Sequence, residues 1–220
     1  MTHILQIDSI ELQFNNHRLL ADIFMKCHTN EIIGLLGRNG TGKTCLMRII
    51  LGNLKATNSY IGFDGVKITN AFKHPDLLMY LPQFHFIPAH LKLSQVFRDF
   101  NLDYQHFQNK FPEAGMIQES RVKTLSGGQR RLLEIYVIAK SPARFIMLDE
   151  PFTHLNPLQI ENVKLFLQDE KGNKGIIITD HMYNHILEIS NRVYCLSNGK
   201  THLINNKHEL ENLGYARIAP

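Results

Sequence analysis

The sequence contains few cysteines, and their spacing matches neither a disulfide framework nor a metal site. Cys27, Cys45 and Cys195 lie far apart, with no CxxC pair and no cysteine–histidine spacing of the zinc type. A fold held together by disulfides is therefore excluded, and a reducing compartment is expected.

Long apolar runs are also missing. No stretch approaches the roughly 18 consecutive apolar residues that a membrane-spanning helix requires. The first residues, Met1 to Gln6, lack a basic region followed by an apolar one, so no secretory signal is predicted. We expect a cytosolic chain that does not cross a membrane by itself.

Charge of one sign is not concentrated anywhere in the chain. Lys and Arg number 24 against 20 Asp and Glu, which gives a formal net charge of +4. Like charges never form the long blocks that are typical of disorder or of a polybasic nucleic-acid tail. What is present is a 220-residue chain that is 44% hydrophobic, enough for one domain with a substantial core.

The opening segment alternates between apolar and polar residues, which is typical of half-buried strands. Leu5 and Ile7 follow one phase, and Ile10, Leu12 and Phe14 follow the other. This phase change predicts two strands of an antiparallel sheet, joined by a bulge or a turn.

Later runs are apolar on both faces, as in the buried strands of a parallel sheet. The first, 32–36, leads into a glycine-rich turn and a helix over 43–51. Asn156 followed by Pro157 is typical of a helix start. Strands are predicted at 144–148 and 175–179, helices at 129–140, 157–167 and 182–190, and a hairpin over 192–196 and 200–204. Apolar positions between 93 and 111, among them Phe97, Phe100 and Phe107, predict a small helical lobe inserted into this α/β core.

The first chemical motif is the segment 37–44, which satisfies G-x-x-x-x-G-K-[ST] between a buried strand and a helix. Its glycines allow backbone N–H groups to point at phosphate oxygens, and the helix N-terminus adds a positive dipole. The lysine supplies a mobile charge, and the final hydroxyl is a ligand for Mg²⁺. The phosphate-binding positions are Gly37, Arg38, Asn39, Gly40, Thr41, Gly42, Lys43 and Thr44.

A pair of carboxylates, Asp149 and Glu150, ends the predicted strand that follows Arg144. The C-terminal ends of parallel strands are where such sheets place ligands. We expect Asp149 to bind the metal ion and Glu150 to polarise an attacking water, the division of roles that phosphoryl transfer to water requires. Together with the phosphate loop, this pair predicts a P-loop NTPase.

The third motif is Leu125-Ser126-Gly127-Gly128-Gln129. By itself it indicates a helix N-terminus, with Ser126 and Gln129 spaced as a capping box and two glycines that leave N–H groups accessible to an anion. With this segment the chain resembles the ATP-binding subunits of ABC transporters, in which LSGGQ of one protomer closes on the γ-phosphate of ATP held by the other. The resemblance covers essentially the full length, with five motifs in the order of that family.

The resemblance implies an α/β fold of the P-loop NTPase class with a RecA/F1-like parallel-sheet core. It further implies an N-terminal antiparallel β subdomain and an inserted helical subdomain. Residues 1–220 would form a single ABC ATPase domain, with the core at 1–83 and 130–220 and the helical subdomain at about 84–129.

The resemblance also implies roles for three further residues. Phe14, 23 positions before Gly37, matches the aromatic that stacks on adenine, Gln83 matches the glutamine that contacts Mg²⁺ and water, and His181 matches the histidine near the γ-phosphate. From the residues alone, Phe14 is equally compatible with a sheet-face aromatic. The alternatives for the other two, a loop amide at Gln83 and a helix-start histidine at His181, are disfavoured, for His181 because Thr179 and Asp180 precede it. The implied catalytic residues are Glu150, His181 and Gln83; the implied metal ligands are Thr44, Gln83 and Asp149; nucleotide contacts come from Phe14, the loop 37–44, and Ser126, Gly127, Gly128 and Gln129.

Four other residues carry separate predictions. Asn156 replaces the aspartate that this family usually has before the proline; it keeps the helix cap but loses a charge directed across the dimer interface. His154 and His185 match no motif and are predicted at the surface. Cys45, beside the phosphate loop, is predicted to be a small buried hydrophobe.

The resemblance predicts an ATPase that binds ATP and Mg²⁺, forms a homodimer or heterodimer, and drives a separate transmembrane permease at the inner face of the cell membrane. The helical lobe and the segment after Gln83 would form a groove for a helix of that permease. Nucleic acid is not an expected partner. The alternatives are a soluble ABC-type ATPase acting on ribosomes or DNA, and an inactive regulatory cassette; a short interval of 42 positions between Gln83 and Leu125 and the full set of motif residues disfavour them.

Overall fold

The computed structural model describes residues 2–15 and 17–215, and the elements below belong to this part of the chain. One ten-stranded sheet has the order β5-β4-β1-β2-β10-β9-β3-β8-β7-β6. Its strands are β1 (Ile4–Phe14), β2 (His17–His28), β3 (Ile32–Leu36), β4 (Asn58–Phe63), β5 (Val66–Lys67), β6 (Leu78–Leu81), β7 (Phe145–Asp149), β8 (Gly175–Thr179), β9 (Arg192–Ser197) and β10 (Lys200–Ile204).

The first part of the sheet is antiparallel, as predicted, but the opening segment is one strand and not two. β1 pairs with both β2 and β4, and its register shifts between Asp8 and Ile10. Ser9 lies there with a left-handed φ of 52°, so the chain inserts one extra residue and continues in the same direction. Because this bulge resets the alternation, Ile7 and Ile10 both point into the core.

The second part of the sheet is the predicted parallel core. Strands β6, β7, β8, β3 and β9 pair in parallel, and all residues of β3, β7 and β8 are buried. Each face of this sheet carries its own hydrophobic cluster, so the strands are covered on both sides. The C-terminal ends of β3 and β7 therefore open toward the same edge, where the phosphate loop and the carboxylate pair follow.

Seven α-helices accompany the sheet within the described residues. They are α1 (Lys43–Leu51), α2 (Leu93–Asp99), α3 (Tyr104–Lys110), α4 (Gly127–Ala139), α5 (Pro157–Glu170), α6 (Tyr183–Ile189) and α7 (Lys207–Asn212). Asn156 caps α5 in a capping box with Gln159, which confirms the predicted start. The part of the chain that the structure describes has no helix whose length and apolar content would carry it across a bilayer.

The middle of the chain forms two short helices, α2 and α3, separated by a turn. Phe97 and Phe107 pack with Tyr136 of α4, with ring centroids 6.0 and 5.1 Å away. Phe100 is the exception to the predicted apolar face. The helix α2 ends at Asp99, so Phe100 is not carried onto its buried face and is exposed.

Candidate active site

The segment 37–44 joins β3 to α1 and adopts a backbone that only glycine tolerates well. Gly42 caps α1 with a left-handed φ of 102°, and Gly37 has a φ of 155°. A Cβ on Gly37 would lie 2.7 Å from the carbonyl oxygen of Leu196. No side chain caps the N-terminus of α1, which leaves its backbone N–H groups directed at the loop and suited to an anion.

Lys43 is buried, and its ammonium group folds back on this loop. Nζ donates to the carbonyl oxygen of Gly37 at 2.5 Å and to that of Arg38 at 3.2 Å. Burial lowers the pKa of Lys43, while the carboxylates of Glu150 and Asp149 act in the opposite direction. The loop thus holds a cation among backbone dipoles beside two acids.

Gln83 follows β6 and connects the loop to the carboxylates. Its Nε2 lies 3.0 Å from Thr44 Oγ1, 3.1 Å from Asp149 Oδ1 and 3.0 Å from Glu150 Oε1. Three oxygens therefore converge on one nitrogen that has only two hydrogens to donate. A hydroxyl and two carboxylates around one point form the hard oxygen set that Mg²⁺ prefers, so these residues suit the cation.

Glu150 is held between β7 and His181. Its backbone is left-handed, with a φ of 52°, and its N–H donates to the carbonyl oxygen of Thr179. Oε1 lies 2.7 Å from Nε2 of His181. The carboxylate thus has a fixed position at the mouth of the site, which is what a group that activates water requires.

One cavity of about 430 Å³ collects the predicted residues Asn39, Gly40, Gly42, Lys43, Thr44, Gln83, Glu150 and His181, with Leu19 and Cys45 in the same lining. Asp149 lies behind Gln83 and is almost fully buried. Phe14, Ser126 and Gln129 are not among the described residues that line this cavity. Phe14 ends β1 and is 49% exposed.

Ser126 and Gln129 form the predicted capping box at the start of α4. Gln129 N–H donates to Ser126 Oγ at 3.2 Å, and Gln129 Oε1 accepts from Ser126 N–H at 2.8 Å. His154 packs against the Gly127 backbone. Ser126 and Gly127 are exposed, whereas Gly128 is buried and Gln129 is half-buried, so this helix start presents only its first residues at the surface.

Two predictions about neighbouring side chains are wrong. Cys45 is half-buried and borders the cavity, because its side chain faces the loop as well as the core. His185 is half-buried and packs against the ring of Phe152 at 5.8 Å, since α6 turns this position inward. His154 is exposed, as predicted.

Sequence reasoning missed two residues that hold the site in place. Arg131 of α4 is buried, and its guanidinium donates to the carbonyl oxygens of Pro82, Asp149 and Glu150 at 2.7 to 2.9 Å. Tyr80 of β6 donates its hydroxyl to Asp149 Oδ2 at 2.9 Å. The only signal for Arg131 in the sequence is a charge inside the apolar periodicity of α4.

Electrostatics keep both groups in their donor forms. Burial raises the pKa of Tyr80, and the neighbouring Asp149 carboxylate raises it further, so the hydroxyl retains its proton. Burial lowers the pKa of Arg131, while Glu134 and Asp149 oppose that shift. Arg131 keeps its charge because a guanidinium titrates far above neutral pH.

The sequence of this chain is similar to those of known proteins. The family model described as "ABC transporter" matches residues 20–153, which is more than half of the chain. The chain is 30% identical over 215 residues to the lipopolysaccharide export system ATP-binding protein LptB of Acidithiobacillus ferridurans, covering 91% of this chain and 89% of that protein. It is 28% identical to the protein of the same name from Haemophilus influenzae, covering 90% and 88%.

Solved structures show the same fold. The structure titled "Structure of ATP binding subunit of ABC transporter" matches with a TM-score of 0.76 at 18% identity, covering 96% of this chain and 94% of that one. A bacterial Atm1-family ABC exporter with ATP bound matches with a TM-score of 0.82 at 13% identity, covering 96% of this chain and 40% of the exporter. With its P-loop ATPase fold and the family match over 20–153, the chain belongs to the ABC transporter family, as one of its ATP-binding, ATP-hydrolysing subunits.

Proposed function

We propose that this chain hydrolyses Mg·ATP as one half of a dimer and that hydrolysis drives a separate transmembrane permease. The observation that carries the proposal is the position of Gln83, whose amide contacts Thr44, Asp149 and Glu150 at 3.0 to 3.1 Å. One residue thus meets the phosphate loop and both acids, which is the arrangement needed to assemble a cation, a phosphate and a water together.

Each residue has a proposed role in this site. The loop 37–44 binds the phosphates, with Lys43 as the mobile charge released from its carbonyl partners. Thr44 and Asp149 would hold Mg²⁺ together with Gln83, whose amide would turn to present Oε1 in place of the Nε2 that faces these oxygens. The bound ion would neutralise developing phosphate charge. Glu150 accepts the proton of the attacking water, and His181, 2.7 Å from Glu150, fixes the carboxylate and faces the γ-phosphate.

The dimer is proposed because the signature segment, Leu125 to Gln129 at the start of α4, does not line the cavity at the phosphate loop. Within this segment, Ser126 and Gly127 are exposed and Gly128 is buried. The first turn of a helix is suited to an anion. We propose that Ser126 to Gln129 complete the site of the second protomer, and that Phe14 stacks on adenine in its own protomer. In the same scheme, residues of about 84–129 act as the helical subdomain and 1–83 with 130–220 as the core.

The dependence of rate on concentration tests the dimer. ATPase activity per chain is expected to fall as the protein is diluted below the dimer dissociation constant, and to be restored by tethering two copies. A mixture of a Ser126→Arg copy and a Lys43→Ala copy keeps one complete composite site, so it should hydrolyse ATP when either alone does not. Undiminished activity per chain at full dissociation would contradict the proposal.

A groove of about 660 Å³ is the proposed docking site for a permease helix. It is lined by α1, β6, the residues that follow Gln83, and Ile138 of α4; Phe72 and Phe84 are exposed in it, and Arg48 adds a positive charge. The predicted contribution of the two lobe helices is not seen, since α2 and α3 supply none of the lining residues that the structure describes. An apolar groove with open aromatics suits a short amphipathic helix.

Photo-crosslinking in native membranes tests this partner. A crosslinking side chain at position 84 is expected to capture an integral membrane protein, whereas one at Phe24, which is exposed on β2 away from the groove, should not. Capture of no membrane protein from position 84 would remove the permease from the proposal.

The matched relatives are named for different cargoes, lipopolysaccharide export in two of them and sulfate or thiosulfate import in another from Vibrio cholerae. We therefore propose that the permease selects the cargo.

A further inference from the structure

Tyr80, like Gln83, both lines the docking groove and contacts the buried carboxylate of Asp149. It lies on β6, opposite Met147 of β7 in a parallel register. Because β7 continues two residues further to Asp149, the hydroxyl of Tyr80 reaches the carboxylate across the strand pair, and Oη to Oδ2 is 2.9 Å. The register of two neighbouring strands therefore places a phenol beside the proposed metal ligand.

The two oxygens of Asp149 have different partners. Oδ2 accepts from Tyr80, while Oδ1 faces Gln83 Nε2 at 3.1 Å and so points to the place where Thr44 and Glu150 converge. Asp149 is 1% exposed, so no bulk water takes over the position of the phenol. Without a donor at Oδ2, the carboxylate of Asp149 is free to rotate about its Cβ–Cγ bond.

We propose that Tyr80 is a positioning residue that fixes Asp149 with Oδ1 directed at the cation, and that it thereby sets the affinity of the nucleotide site for Mg²⁺. The inference rests on the proposed function, since it assigns Asp149 to the metal. Groups that hydrogen-bond to a metal ligand generally tune affinity by fixing its orientation, and their loss typically weakens binding by about 10- to 100-fold.

The ring of Tyr80 also belongs to the wall of the 660 Å³ groove. A partner seated there touches the same side chain that holds Asp149. Thr44 and Gln83, two of the proposed metal ligands, line the same groove, so the cation site and the groove are directly adjacent.

The test is Tyr80→Phe, which removes the hydroxyl and keeps the ring that lines the groove. Binding of a fluorescent ATP analogue is measured in EDTA and then during a Mg²⁺ titration. The expected result is unchanged affinity in EDTA and a Mg²⁺ midpoint raised by about 10- to 100-fold. Saturating Mg²⁺ should return the ATPase rate to that of the parent protein, because the chemical groups are intact. Tyr60→Phe is the matched control, since its hydroxyl donates to the Gly65 carbonyl oxygen at the surface.

Two outcomes overturn the inference. One is a Mg²⁺ midpoint equal to that of the parent. The other is a loss of nucleotide affinity in EDTA together with a lower melting temperature, which would mean that the hydroxyl only supports the fold. Asp149→Asn separates this inference from the proposed function. If Asp149→Asn raises the Mg²⁺ midpoint and Tyr80→Phe does not, only the role of Tyr80 fails. If Asp149→Asn leaves the Mg²⁺ midpoint unchanged, the metal role of Asp149 fails as well.

Discussion

Replacement of Glu150 by glutamine is the sharpest test of the chemistry. Glu150 is held through both its backbone and its side chain. The backbone N–H donates to the carbonyl oxygen of Thr179, and the backbone carbonyl oxygen accepts from Arg131. The carboxylate oxygen Oε1 lies 2.7 Å from His181 Nε2 and 3.0 Å from Gln83 Nε2. Glutamine has nearly the same shape, and its amide oxygen retains the ability to accept from these donors. The change therefore removes the basic group while leaving the backbone restraints in place.

The expected loss follows from the role of the residue. A positioned general base contributes about 10²- to 10⁴-fold to a rate. Since each tenfold change is about 1.4 kcal/mol, Glu150→Gln should raise the activation free energy of hydrolysis by about 3 to 5 kcal/mol. ATP affinity should survive, because the phosphate loop and Lys43 are separate from the substituted group.

Single-turnover phosphate release and binding of a fluorescent ATP analogue separate these two effects. ATP should accumulate on the variant, and size-exclusion chromatography should show a dimer that persists with ATP. The control is Glu119→Gln, an exposed carboxylate that pairs with Lys92 at the surface. A Glu150→Gln protein that released phosphate at the parental rate would refute the assignment of the base.

Three further predictions concern binding, the signature segment and pH. Lys43→Ala should abolish tight nucleotide binding, because the loop loses its only buried ammonium; retained affinity in a calorimetric titration would count against this role. Ser126→Arg should stop turnover while binding at the loop stays unchanged, and parallel losses of both would contradict it. Burial alone would raise the pKa of Glu31, yet hydrogen bonds from Arg192 and His28 lower that pKa below its ordinary 4.5. Glu31→Gln should therefore cost about 1.5 to 3 kcal/mol of unfolding free energy at neutral pH. Because the folded-state pKa is the depressed one, this difference should shrink as pH falls from 4.5 through the folded value; a gap that stayed constant in acid denaturation curves would refute the linkage.

Much of the core was predictable because its patterns are local. A run that is apolar on both faces predicts a strand covered on both sides, and β3, β7 and β8 have that environment. The phosphate loop was equally predictable, since its glycines are required by backbone angles set within a few residues. The bulge at Ser9 was only partly predictable, because a change of phase is compatible with either a turn or an inserted residue.

The sequence by itself determined the family, the order of the motifs and the residue types proposed to contact phosphate and metal, since each of these is a spacing along the chain. Only the tertiary structure decided what supports them. Tyr80 meets Asp149 across 69 positions, and Arg131 on α4 reaches the backbone of Pro82 and Asp149 at the ends of two strands. A charge or a phenol inside an apolar pattern does not indicate its partner, because buried polar groups are satisfied by whatever strand register and helix packing bring within hydrogen-bonding distance.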